Sequence, residues 1–334
     1  MLRRSIHLLF ATLFFCGSVT GQLCGEEPFT SRAKVTNAAL VYWQAFALLP
    51  EQSEEDTKLL NDLEKGSKQV VDARSLLTRS NTALSLISHL KPDTPCRWEL
   101  IDNGPNTLLP HVSKARMLAR LLILQARMDA ESGKTEAAVD HLTQALLVAR
   151  NVDEGVLVQM LVGDSIESLA ADAAQSLLPR LGASSRGRFA EALSKLPTRT
   201  TFARAMSYER DVFARGVGPI MTVDRAALRQ LGSDEDSPDV RAILAGTKRE
   251  RTKWFEELLA EYSKLIEASK LPLPEANKEF ERLESEVQDS PNPLIRLLMP
   301  SVGRANQKHA EVDARIAKLE TTLRDANTSA GTSN

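Results

Sequence analysis

The chain has 334 residues, 43% of them hydrophobic, 26% charged and only 5% aromatic, with 42 Lys and Arg against 44 Asp and Glu. That is room for one large or two ordinary domains with a sizeable core, at a composition ordinary for a folded protein. The slight acidic excess argues against nucleic acid as a partner, since a protein that neutralises phosphates is normally basic.

Met1-Leu2-Arg3-Arg4 followed by the apolar run Ile6 to Phe15 and the short residues Val19-Thr20-Gly21 reads as a cleavable export signal over 1–21. The apolar run is too short to cross the roughly 30 Å hydrocarbon layer as a helix, so no transmembrane segment is expected after cleavage. Loss of Arg3 and Arg4 with the leader takes the net charge from −2 to −4. Cys24 and Cys96 then remain, and in an oxidising periplasmic or extracellular compartment they are candidates for a disulfide.

The rest of the chain predicts an all-α fold. Leu and Ala dominate, and runs of β-branched and aromatic residues are nearly absent. Ala38, Val41, Tyr42, Ala45, Phe46 and Leu49 form one helical stripe closed by Pro50, and Ser53-Glu54-Glu55-Asp56 opens a short helix. A third helix is expected over 67–90, then a non-helical stretch from Pro92 to Pro110. Helices over 108–132 and 135–151 meet at Gly133, and 156–178, 184–196 and 200–215 follow. Gly216-Val217-Gly218-Pro219 is the expected boundary between a helical-hairpin domain (22–216) and an elongated helical region (217–326). The latter contains helices over 249–269, 275–288 and 303–325, and a polar, disordered tail is expected over 327–334. In the last helix Val312, Ile316, Leu319 and Leu323 fall at spacings of 4, 3 and 4. Fewer than three heptads favours packing on neighbouring helices over a coiled coil.

Residues 116–150, with Gly133 at the turn, Ala138 at the helix crossing and the pair Ala145-Leu146, locally resemble a tetratricopeptide repeat. No second copy lies 34 residues away on either side, and a solenoid needs about three. Over a longer span, Asn37 to Trp43, Cys96-Arg97-Trp98, Gly104-Pro105 through Leu108 to His111, Ile166-Glu167 and Asn292 to Arg296 resemble a family of uncharacterised secreted helical proteins of planctomycete bacteria. The resemblance implies export and a helical fold, and it transfers no active site.

The usual chemistries find no motif. Gly133-Lys134-Thr135 ends like a phosphate-binding loop, but Met128 stands where its first Gly is required. His111 and His141 lack a co-ligand at helical spacing, and only His309 has one, Asp313, which a solvated ion pair explains; no metal or cofactor is expected. The unusual residues are charges within apolar helices: Asp164 and Glu167 on one, Arg116 and Arg120 on another. Ionised groups are rarely buried unless paired, so Arg116 or Arg120 is expected to face Glu167 or Glu209. A sharper alternative gathers these charges with Tyr42, Trp98 and His111 around a pocket for a polar small molecule or glycan. The Lys- and Arg-rich stretch 180–215 reads as a solvated surface. The leading functional expectation is an exported, non-enzymatic scaffold that binds a protein or cell-envelope component. The alternative is an α/α enzyme acting on glycans, with Asp164, Glu167 or Glu209 as acid–base groups.

Overall fold

A computed structural model describes residues 35–64, 69–104, 106–153, 155–222 and 237–331. The expected leader, Cys24 and the region around 223–236 lie outside the described residues. Among those described, the secondary structure is helical with no strand, and no helix is long and apolar enough to cross a membrane.

Among the described residues seven α-helices precede Pro197: α1 (Ala38–Leu48), α2 (Glu54–Glu64), α3 (Arg74–Ile87), α4 (Pro110–Glu131), α5 (Thr135–Val152), α6 (Leu157–Leu177) and α7 (Ala183–Ser194). Then come α8 (Phe202–Gly216), the short α9 (Gly218–Thr222) and α10 (Pro238–Ala245), α11 (Lys248–Ala268), α12 (Leu273–Gln288), the short α13 (Pro293–Leu298) and α14 (Gly303–Gly331). Local chemistry sets several of the ends. Asn37 caps α1 by accepting from the Ala39 N–H at 3.0 Å, and the same carboxamide brackets Arg97 through N–H and C=O at 2.9 Å each, tying the Pro92–Pro110 connection to α1. Thr247 and Glu250 form a reciprocal capping box at the start of α11.

The α4–α5 hairpin turns on Gly133, at φ +76°. Its N–H donates to Ala130 at 3.2 Å and that of Lys134 to Asp129 at 2.8 Å, the paired bonds of a Schellman end, which favours glycine in the left-handed position. Gly104, at φ +59°, marks a close approach: a Cβ there would lie 2.8 Å from the Gly216 Cα, so the 92–109 connection packs directly on the end of α8.

The helix expected over 67–90 begins instead as a 3-10 turn, Val70–Ala73, in which the Gln69 N–H donates to the Asp72 carboxylate at 3.1 Å. The helices α9, α10 and α13 had no counterpart in the sequence reading. At the C-terminus α14 continues to Gly331, past the start of the expected polar tail.

The described residues form one compact unit containing two apolar clusters. The first is built from α1–α7, with Leu118, Leu121, Leu122, Leu142 and Leu146 fully buried at its centre. The second gathers Met160 of α6, Phe202 and Met206 of α8, Tyr262 and Leu265 of α11, Phe280 and Leu283 of α12, and Leu294 of α13. The α1–α7 residues of the first cluster end at Leu193, and the second, Met160 of α6 apart, begins at Phe202. The last helix does not stay with the second cluster: α14 packs on α6 and α7, burying Val312, Ile316, Leu319 and Leu323 in the first. Its 4, 3, 4 stripe is satisfied by its own chain.

Candidate functional site

Tyr42, Trp98 and His111 do come together, from α1, the 92–109 connection and the first turn of α4. The His111 ring stacks on Trp98 with centroids 4.4 Å apart, Trp98 stacks on Tyr42 at 5.7 Å, and Trp43 meets His111 edge-on at 6.2 Å. The polar handles are used internally. Trp98 Nε1 donates to the Asn151 carbonyl at 2.8 Å, and Asn151 Nδ2 donates to the Tyr42 hydroxyl oxygen at 2.9 Å. Gln159 Oε1 accepts from the Val156 N–H, so its Nε2 is the group that faces His111 Nε2 at 3.0 Å. That network assigns Nε2 as acceptor and places the ring proton on Nδ1, which is buried without a partner. Burial pushes the His111 pKa down to about 4 and the Tyr42 hydroxyl up. All three are sealed, at 5% exposure or less, so this is a core and not a pocket wall.

The charges of α6 assemble elsewhere. Asp164 and Glu167, one turn apart, share one face with Gly163, whose missing side chain lets the end of α5 approach: a Cβ there would stand 3.0 Å from the Ala149 carbonyl oxygen and from the Asp153 Cβ. Glu167 receives two guanidiniums, Arg150 of α5 through Nε and Arg199 of the α7–α8 connection through Nε at 2.6 Å. Arg199 also contacts Asp164 through Nη2 and Asp313 of α14 through Nη1. His309 completes the cluster, with Nδ1 2.9 Å from Asp164 and Nε2 3.8 Å from Asp313. Arg150 donates to the Pro197 carbonyl at 2.9 Å, and Asp153 accepts from the Thr200 N–H at 3.3 Å, so the connection carrying Arg199 is held at both ends.

Burial pushes the Glu167 carboxyl up and the Arg150 guanidinium down, and the opposite charges pull each of them back. At Asp153 burial, with the nearby Asp164 and Glu167 charges, outweighs the Thr200 N–H bond and His309 and raises the carboxyl to about 7.

This corrects the expected pairing. Arg116 is exposed. Arg120 pairs with Glu64 at 2.6 Å and Asn61 at 3.0 Å. Glu209 accepts from the Leu157 N–H at 3.2 Å, completing the first turn of α6. The partners of Glu167 are Arg150 and Arg199. The second lies within the basic stretch 180–215 that read as surface, yet its side chain is only 11% exposed. His309 and Asp313 are close as expected, but His309 is buried in the cluster and not solvated.

One face of this cluster opens onto a cavity of about 390 Å³. Its wall is formed by Arg199 to Ala203 at the start of α8, Ser269, Lys270, Leu271 and Leu273 between α11 and α12, and Asn306, His309, Ala310 and Asp313 of α14. A second groove runs past Cys96, Arg150 and Asp153. No protein-family model, curated protein or solved structure matches this chain.

Geometry therefore has to carry the chemistry. Asp164 and Glu167 are each engaged by arginine, and Glu209 is engaged by a backbone amide. A carboxylate held by guanidinium is a poor proton donor and a poor base, because both roles require breaking the pair. Among the described residues no three His, Cys, Asp or Glu side chains converge as metal ligands. The open volume next to the cluster is suited to holding a polar guest.

Proposed function

We propose that this chain is an exported, non-enzymatic helical binding protein, whose ligand is a cell-envelope component or a part of one. Its binding site is the 390 Å³ cavity between α8, α12 and α14. The observation that carries the reading is the division of labour around Arg199. The ionised groups on its inner side bind one another and tie α5, α6, α14 and the α7–α8 connection together. The outer side leaves solvent-reachable space lined by helix starts and polar side chains, within the 300–1,000 Å³ range typical of small-ligand sites. Export is supported by the charged, apolar and small-residue sequence of residues 1–21.

Equilibrium dialysis of the folded chain against a digest of cell-envelope material, with mass spectrometry of the retained and free pools, tests this. Retention of one component, chemically unaltered after prolonged incubation, is the expected result. Retention of nothing contradicts the reading, and steady conversion of a component into product replaces it with the enzymatic one.

A further inference from the structure

The cavity carries features that select a class of guest. Thr201 caps α8 by accepting from the Arg204 N–H at 3.3 Å, which leaves the N–H groups of Phe202 and Ala203, both in the cavity wall, without an intrahelical acceptor. A second helix, α12, also begins at this wall, with Leu273 as its first residue and no side-chain cap. Two helix N-termini present partial positive charge to one space.

Asn306 adds an independent sign of a ligand. It is only 7% exposed and lines the cavity, and among the described residues its carboxamide has no hydrogen-bond partner. A largely buried carboxamide on the cavity wall that makes no hydrogen bond within the protein is available to a guest.

The opposite charge is present too. Asp313 is half exposed in the same wall, with one oxygen on Arg199 and the other 3.8 Å from His309. Charges of both signs share the wall, with Arg199 and the Lys270 ammonium as its cations and Asp313 as its carboxylate. A bare anion such as phosphate gains the helix ends and these cations but offers nothing to Asp313. A guest bearing both signs matches both ends of the cavity.

We propose that the cavity binds a small zwitterion of the amino-acid or dipeptide type. Its carboxylate sits against the start of α8 and Asn306, and its ammonium against Asp313. This rests on the binding reading above and narrows its ligand class.

Isothermal titration of the full chain with the common L-amino acids tests it, with the N-acetyl and carboxamide form of each as a matched probe and inorganic phosphate as a control. At least one free amino acid binds saturably, and both blocked forms bind about tenfold more weakly or worse. Asn306→Leu, which breaks no internal hydrogen bond, weakens the same amino acid about tenfold with its unfolding temperature unchanged. Absence of amino-acid binding, equal binding of a blocked form, competition by phosphate, or an unaffected Asn306→Leu variant each overturns the proposal. If an envelope fragment is retained in dialysis while amino acids do not bind, only the zwitterion assignment falls. If neither is retained, the binding reading falls with it.

Discussion

His111 and Asp153 are both buried in their neutral forms, yet they load the stability of the protein in opposite senses. The His111 pKa falls from 6.5 to about 4 on folding, so between those values the unfolded chain takes up a proton that the folded chain refuses. Its contribution is present above pH 6.5 and is lost as pH falls through 4, at about 1.4 kcal/mol per pH unit. The Asp153 pKa rises from 3.8 to about 7, so the folded chain keeps a proton that the unfolded chain has released. That contribution is present below pH 3.8 and is lost as pH rises through 7, with the same slope. The two offset one another between about pH 4 and 6.5. Asp153→Asn keeps an acceptor for the Thr200 N–H and removes the titration. Urea unfolding of this variant and of the parent should show the variant gaining relative stability from pH 5 to pH 8, then a constant difference. A difference independent of pH contradicts the assignment.

The sequence identified part of this chemistry. Asp164 and Glu167 stand out because ionised side chains within an apolar helix require partners. The identity of the partners was not legible, because helical periodicity orders residues on one helix and carries no information about which residue of another element faces them. Arg150 sits near the end of α5 and Arg199 in a connection, and neither interrupts an apolar stripe. Likewise Tyr42, Trp98 and His111 were singled out together and are together, but spacing could not show that their polar atoms are used internally by Asn151 and Gln159.

Among the helices, legibility followed length. Stripes of three turns or more located α1, the α4–α5 hairpin, α6, α11, α12 and α14, whose ends agree with Gly, Pro and capping residues. The short helices α9, α10 and α13 contain one or two turns each, too few to show a period, and they are held by burial of residues such as Met221, Ile243 and Leu294. Two glycines report on how the hairpin and its neighbour are built. At Gly133 a Cβ meets nothing within 4 Å but the backbone is left-handed, so Gly133→Ala should cost about 1 kcal/mol from conformation alone. Gly163 presents the reverse case. Ala is the better helix former by about 1 kcal/mol, but its Cβ would press on the Ala149 carbonyl and on Asp153, so Gly163→Ala should destabilise by about 1–3 kcal/mol. Denaturant unfolding of the Gly163 variant decides between them. A gain in stability would mean that α5 and α6 are not as closely opposed as described.

At the scale of the molecule, the last helix and the connection before α8 close the fold on itself. α14 lies beyond the second apolar cluster in sequence, yet its stripe is buried in the first, and its His309 and Asp313 reach the same charges that α5 and α6 present. Arg199 is the common member, contacting Asp164, Glu167 and Asp313 at once. A shared guanidinium of this kind makes the elements interdependent, because removing it takes one partner from each of two buried carboxylates and leaves Glu167 to Arg150 and Asp164 to His309, at a cost of about 3–5 kcal/mol. The charges are then structural, and the cavity lies outside them.

A double-mutant cycle on Arg199→Met and Glu167→Gln, read by denaturant unfolding of the four proteins, tests this most directly. If the two side chains are bound to one another inside the fold, each single variant is strongly destabilised. The pair then loses less than the combined single losses, with a coupling of about 1–3 kcal/mol. Additive losses within about 0.5 kcal/mol would mean that these residues do not hold one another, and the carboxylate of Glu167 would again be available for chemistry.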